Sequence, residues 1–168
     1  MIANRETIYE ADLAKKQMRV QRSFHAPLSE VWSAWTDPSI MDIWWAPKPW
    51  KTNTISMDFR PGGKWFYFMG GPDGSRHYCV VNFISVDHQR EYTGKDGFCD
   101  ESGNILGNMP NTLWKVHFTS DGDETTVDIE LSFASEEDMN KLIEMGFRQG
   151  FAMAHQNLDE LLANGSKA

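Results

Sequence analysis

The chain has 168 residues, of which 7 are Trp, 10 Phe and 4 Tyr, at a mean hydropathy of −0.51; this is the profile of one soluble, aromatic-rich domain, large enough to bury about 70% of its unfolded surface. With 24 acidic against 16 basic side chains the formal charge is −8, the wrong sign for phosphate backbones or anionic membranes, so nucleic acid and membrane are excluded as partners. The longest hydrophobic run, Trp65 to Met69, is far short of the roughly 18 to 20 residues of a membrane span, and the mixed charges of Arg5, Glu6, Glu10 and Asp12 do not make a signal peptide, so a cytoplasmic location is expected.

Residues 1–18 form a charge-balanced N-terminal extension, either an amphipathic helix through Ile8, Leu13 and Met18 or a loosely ordered segment, ahead of a domain over 19–164. Arg19 to His25 alternates as a first strand and is stopped by Ala26-Pro27. Pro27 suits the first turn of a helix, and Val31, Trp32 and Trp35 give that helix an apolar face to Thr36. Asp37-Pro38 breaks it, and a second short helix runs from Ser39 to Trp44 before the Pro47 and Pro49 cluster. From Trp50 onward period two takes over, with turn chemistry at Pro61-Gly62-Gly63, Gly70 to Gly74, Asp96-Gly97 and Asp121-Gly122. Six antiparallel strands are expected near 51–59, 64–69, 75–87, 90–98, 112–120 and 125–133. In the last, Val127, Ile129, Leu131 and Phe133 alternate with polar residues, the pattern of a sheet with one covered face. The cover is a long C-terminal helix starting at Ser135-Glu136-Glu137-Asp138, a capping-box-like signal, and running to about Ala163. Gly146, Gly150 and Ala154 share its inner face, either for close packing on the sheet or to leave room for a ligand.

Arg22-Ser23-Phe24-His25-Ala26-Pro27, Val31 to Pro38 with its two tryptophans, Trp44-Trp45-Ala46-Pro47, Asp58 to Gly63, Pro72-Asp73-Gly74 and the Gly146 to Leu162 helix occur in this order. Together they resemble the heat-shock-protein-90 ATPase activator homologue-like family, within the superfamily of START and birch-pollen-allergen-like (SRPBCC) proteins. The resemblance covers about residues 17–163. It implies an α+β helix-grip fold, β-α-α-β6-α, with a curved antiparallel sheet wrapped around a long C-terminal helix. His88 and Glu91 depart from the family pattern, which has a proline and an apolar residue there. Each signature also has a folding role of its own, so the resemblance speaks to architecture more than to activity.

No Gly-x-Ser-x-Gly elbow or nucleophilic triad is present. His77 and Cys79, two apart on one strand, share a sheet face but have no second ligand pair with zinc-like spacing, so no metal site is assigned. Cys79 and Cys99 read as free thiols. His117 reads as a structural or surface histidine and His155 as solvent-facing. The Gly70 to Gly74 stretch lacks the Lys-Ser/Thr ending of a phosphate loop and reads as a hairpin. Nothing in the chain calls for a cofactor.

What is left is an apolar lining: Ile55, Met57, Phe59, Trp65, Tyr67, Phe83, Trp114 and Val116, joined by Ile129 and Leu131, would face the helix positions Gly146, Gly150 and Ala154. Such an interior either holds a small hydrophobic or aromatic molecule or closes into a solid core. The leading expectation is a binding module rather than an enzyme, for such a molecule and existing as a monomer or homodimer. The resemblance implies a second possibility, a chaperone partner whose ATPase the protein activates, although the 18 residues before the match leave no room for the second domain of the eukaryotic proteins. A third is a polyketide cyclase- or aromatase-like enzyme, for which no acid or base stands out.

Overall fold

In a computed structural model that describes residues 7–163, the chain is organised around an eight-stranded antiparallel sheet. The elements are β1 (Ile8–Asp12), β2 (Gln17–Phe24), α1 (Leu28–Thr36), α2 (Pro38–Trp44), β3 (Lys51–Met57), β4 (Lys64–Gly70), β5 (Arg76–Asp87), β6 (Glu91–Cys99), β7 (Asn111–Asp121), β8 (Glu124–Phe133), α3 (Glu136–Glu144) and α4 (Phe147–Ala163). The sheet order is β1-β2-β8-β7-β6-β5-β4-β3, so every neighbour from β3 to β8 is also a neighbour in sequence and only the β2–β8 pairing closes over distance. The curved sheet and the C-terminal helix that covers it make an α+β helix-grip fold.

Several expectations are corrected. Residues 8–12 and 17–24 are a hairpin, with Ile8 opposite Gln21 and Asp12 opposite Gln17, and not a helix or a loose tail; the turn is made by Leu13 to Lys16, where Lys16 takes a φ of 56°. The first six residues of the extension, and residue 164 at the domain's end, lie outside the described residues. Asp96-Gly97 is no turn: both residues sit inside β6, paired with Thr112 and Asn111, and the chain leaves that strand only after Cys99, reaching β7 through residues 100–110. The long C-terminal helix is two helices. Gly146, at φ 88°, donates its N–H to the Ile143 carbonyl at 3.0 Å, ending α3 in the left-handed conformation that glycine adopts without a Cβ clash.

Local chemistry otherwise does what its residues dictate. Asp37 Oδ1 accepts the Ser39 N–H at 2.9 Å to cap α2, and Ser135 Oγ accepts that of Asp138 at 3.1 Å to cap α3. Gly62, at φ 85°, turns β3 into β4. In β8, Thr125, Val127, Ile129, Leu131 and Phe133 are the buried set. Helices α1 and α2 and the inner side of α4 meet over this face. Trp44 Nε1 donates to the Ala34 carbonyl at 2.8 Å, and Asn157 Nδ2 donates to the Ala46 carbonyl at 3.0 Å. The buried Arg22 guanidinium on β2 pairs with Asp159 on α4. The Asn157 and Asp159 contacts fix α4 at its C-terminal half.

Candidate functional site

The N-terminal half of α4 is held differently. Between it and β4–β7 lies an open cavity of about 380 Å³. Its floor is built from residues two apart on four adjacent strands, which therefore point the same way: Tyr67 and Met69, His77 and Cys79, Asp96 and Phe98, Thr112 and Trp114. The roof is the α3–α4 junction, with Leu142, Met145, Gly146, Phe147, Gly150 and Phe151, and the side is Trp45, Pro47, Trp50 and Pro110. The break at Gly146 swings α3 away from the line of α4, and Gly150 carries no side chain into the space below. A Cβ at Gly150 would meet only Pro47 Cγ, at 3.6 Å.

The polar groups on the floor are few and placed. Asp96 Oδ2 accepts the Trp114 indole N–H at 2.7 Å, and Oδ1 accepts the Thr112 backbone N–H at 3.1 Å. Burial raises the Asp96 carboxyl from 3.8 to about 7, against the opposing pull of those two donors. Tyr67 Oη accepts the Trp45 indole N–H at 3.1 Å, and its ring stacks on Trp65 at 3.9 Å between centroids. Burial drives the Tyr67 hydroxyl well above its ordinary value, with the neighbouring Cys79 adding to it. The Cys79 thiol is pushed to about 12, by burial first and by Asp96 second, so it is a neutral thiol and no nucleophile. At neutral pH Asp96 is thus the group on this floor poised to hold or release a proton, the property required of a general acid or base. His77 stands exposed at the mouth, its ring 5.1 Å from that of Trp50.

The residues expected to line an interior are divided by the structure. Tyr67, Trp114, Gly146 and Gly150 line the cavity. Met57, Trp65 and Phe83 surround a separate void of about 20 Å³ on the other side of Asp96, room for about one water. Phe59 packs on Phe83 at 4.8 Å and on Trp32 at 5.9 Å, Val116 is wholly buried and Ala154 is 1% exposed. Ile55 is corrected outright. A bulge between Thr54 and Ser56 inserts it as an extra residue, and it faces solvent at 50% exposure. His155 is a second correction, since it is fully buried among Phe24, Trp35 and Phe151, with Nδ1 2.8 Å from Thr7 Oγ1. Burial and the nearby Arg22 guanidinium lower it from 6.5 to about 3, so it is neutral. His117 is half-exposed, 3.2 Å from Glu91 Oε1. Both cysteines are free thiols.

Asp96 is the site residue that sequence reasoning missed, because Asp-Gly was read as a turn. The signal was available: Tyr92, Asp96 and Phe98 share one face of the expected strand, and a carboxylate among aromatics on an inward face is conspicuous. Trp45, just past the second short helix, also reaches the cavity wall.

A curved antiparallel sheet gripping a C-terminal helix, with an aromatic cavity between them, defines a START-like helix-grip domain. The family described as "Activator of Hsp90 ATPase homolog 1-like protein" matches residues 25–163, and the chain belongs to it. Among solved structures it is similar to protein Ms6760 from Mycobacterium smegmatis, at 29% identity over 94% of this chain and 96% of that one with a TM-score of 0.86. A protein from Arthrobacter aurescens shows 29% identity over 95% and 92%, TM-score 0.88, and one from Staphylococcus epidermidis 24% over 93% and 93%, TM-score 0.81. No curated protein matches. No helix among the described residues is long and apolar enough to cross a membrane.

Proposed function

We propose that this domain binds a small, flat, hydrophobic or aromatic molecule in the cavity between β4–β7 and the α3–α4 junction. The observation that carries the reading is the cavity itself: about 380 Å³, walled by Trp45, Trp50, Tyr67, Trp114, Phe147 and Phe151, with one carboxyl at its floor. Apolar concavities with a few convergent polar groups are the usual form of small-molecule sites. The test is thermal shift against lipids, polyketides and aromatic metabolites, with Gly150→Trp as the partner variant. A ligand present at 100 times its Kd stabilises by about 2.7 kcal/mol, or roughly 5 to 10 °C for a domain of this size. At least one compound class is expected to shift the native protein and leave Gly150→Trp, whose indole occupies the cavity, unmoved. Equal shifts in both proteins, or none in either, would overturn the reading. Ala154 does not serve for this test, because it lies in the solid part of the core.

A second reading is favoured by the family match, whose description is of an activator of a chaperone ATPase. The turnover of an Hsp90-type ATPase with and without saturating protein decides it, and an unchanged rate removes it.

A further inference from the structure

Asp96 is a half-buried carboxyl on the floor of the open cavity, with hydrogen bonds but no counter-charge. Its two oxygens are met by the Thr112 backbone N–H and the Trp114 indole N–H, both neutral donors, and none of the ion pairs among the described residues includes it. A carboxylate partly shielded from water without a positive partner is disfavoured in its charged form, which favours uptake of a proton or pairing with a cation. Among the described residues no Lys or Arg lines the cavity, and Asp96 is its one carboxyl. The remaining wall is largely aromatic, and ring faces attract cations. The whole chain carries −8, which draws cations toward the mouth and turns anions away.

We propose that the cavity is selective for charge: it takes an aromatic or cyclic organic amine in its protonated form, with Asp96 as the counter-ion at the floor and the surrounding rings about the cationic body. The proposal rests on the cavity being a binding site at all, and goes beyond that by naming the ligand class. Fatty-acid anions and other carboxylates are excluded by the same electrostatics. Each carboxylate oxygen keeps a lone pair free after its existing bond, so an ammonium N–H can be accepted without dismantling the hold of Thr112 and Trp114.

The pH behaviour follows from the groups that face Asp96. From β4 there is Tyr67 and from β5 Cys79, both held neutral by burial. From β7 come Thr112 and Trp114, and from the α3–α4 junction Leu142, Met145, Phe147 and Phe151, none of which titrates. His77 on β5 stands at the mouth and would repel a cation when protonated. An amine titrating near a lysine's value stays charged throughout. Cation binding therefore strengthens as pH rises through about 7, where Asp96 ionises, and binding near that pH releases a proton to solvent.

The experiment titrates the full chain calorimetrically with three probes of one shape and different charge: naphthylethylamine, naphthylethanol and naphthylacetate. At about pH 8 the amine is expected to bind at least about tenfold more tightly than the alcohol, and naphthylacetate most weakly. Near pH 5.5 the amine's advantage should collapse in the native protein, roughly in step with protonation of Asp96. In Asp96→Asn the advantage should be absent at both pH values; near-ultraviolet circular dichroism checks that the variant is folded, and the pH arm on the native protein stands without it. An alcohol bound as tightly as the amine at about pH 8, with both lost in Gly150→Trp, overturns the charge selectivity and leaves the cavity reading intact. An amine preference that persists in Asp96→Asn also overturns it. If no probe binds the native protein, the binding-site reading falls with it.

Discussion

The two ends of the aromatic interior are made of the same residue types and behave in opposite ways. At one end Trp32 meets Phe59, Tyr92 and Phe118 and Trp35 meets Phe24 and Trp44, ring edge to ring face, with His155 tilted against Trp35 and only the void of about 20 Å³ beside them. At the other, Trp45, Trp114, Phe147 and Phe151 stand around about 380 Å³ of open volume. Aromatic content does not distinguish them. The closed end lies under the half of α4 that Asn157 and Asp159 tie to the α2–β3 loop and to β2, whereas the open end lies under the half that begins at the Gly146 break. Each end also holds one shifted titratable group, His155 fully buried in the closed one and Asp96 half-buried in the open one. An aromatic interior is thus solid where its covering helix is clamped from both sides and hollow where that helix starts.

The largest effect should come from breaking the closed end. Trp35 is 1% exposed, and Trp35→Ala is expected to cost about 3 to 5 kcal/mol, read as loss of most of the cooperative transition in chemical denaturation. Trp114→Ala, on the floor of a space already open, should cost clearly less. If the two variants are equally destabilised, the distinction between the ends fails.

The buried titrations sharpen it next. His155 sits at about 3 when folded against 6.5 when unfolded, so its contribution is complete above about 6.5 and is lost as pH falls toward 3. Asp96 sits at about 7 against 3.8, so its contribution is complete below 3.8 and is lost as pH rises toward 7. Between roughly pH 4 and 6.5 the two slopes, each up to about 1.4 kcal/mol per pH unit, oppose one another. Stability of the native protein should be nearly flat there with respect to these two groups. In Asp96→Asn, stability should rise with pH across that window, and in His155→Leu it should fall, both measurable by urea denaturation at a series of pH values. Parallel slopes in the two variants would contradict the opposite signs.

The smallest effects concern the two glycines at the open end, and they should differ in sign. Gly146 has a φ of 88°, so Gly146→Ala forces an L side chain into the left-handed region at about 1 to 2 kcal/mol. Gly150 is helical, with only an ordinary contact at 3.6 Å awaiting a Cβ, so Gly150→Ala should stabilise by about 0.5 to 1 kcal/mol. Differential scanning calorimetry of the pair checks this, and a loss of stability in Gly150→Ala would show that the cavity edge is tighter than its geometry indicates.

Much of the fold was legible in the chain because its signals are local. Period two in Val127, Ile129, Leu131 and Phe133, the capping serine at 135, and the helical spacing of Val31, Trp32 and Trp35 each depend on a few neighbouring residues, and the ordered signatures placed the chain in its family. The first hairpin was not legible, because Ile8 to Asp12 becomes a strand only through β2. Ile55 went astray because a bulge shifts the phase of β3, and period-two reasoning has no means of sensing one extra residue. His155 and Asp96 were misplaced for a related reason, since what surrounds a side chain comes from elements far away in sequence. The sequence by itself determined the kinds and order of the elements from β2 to β8, the sheet's covered face and the negative charge. Only the tertiary structure decided which end of the aromatic interior is open and which buried group titrates there, because cavities and desolvation arise from how distant elements meet and not from the residues of any one of them.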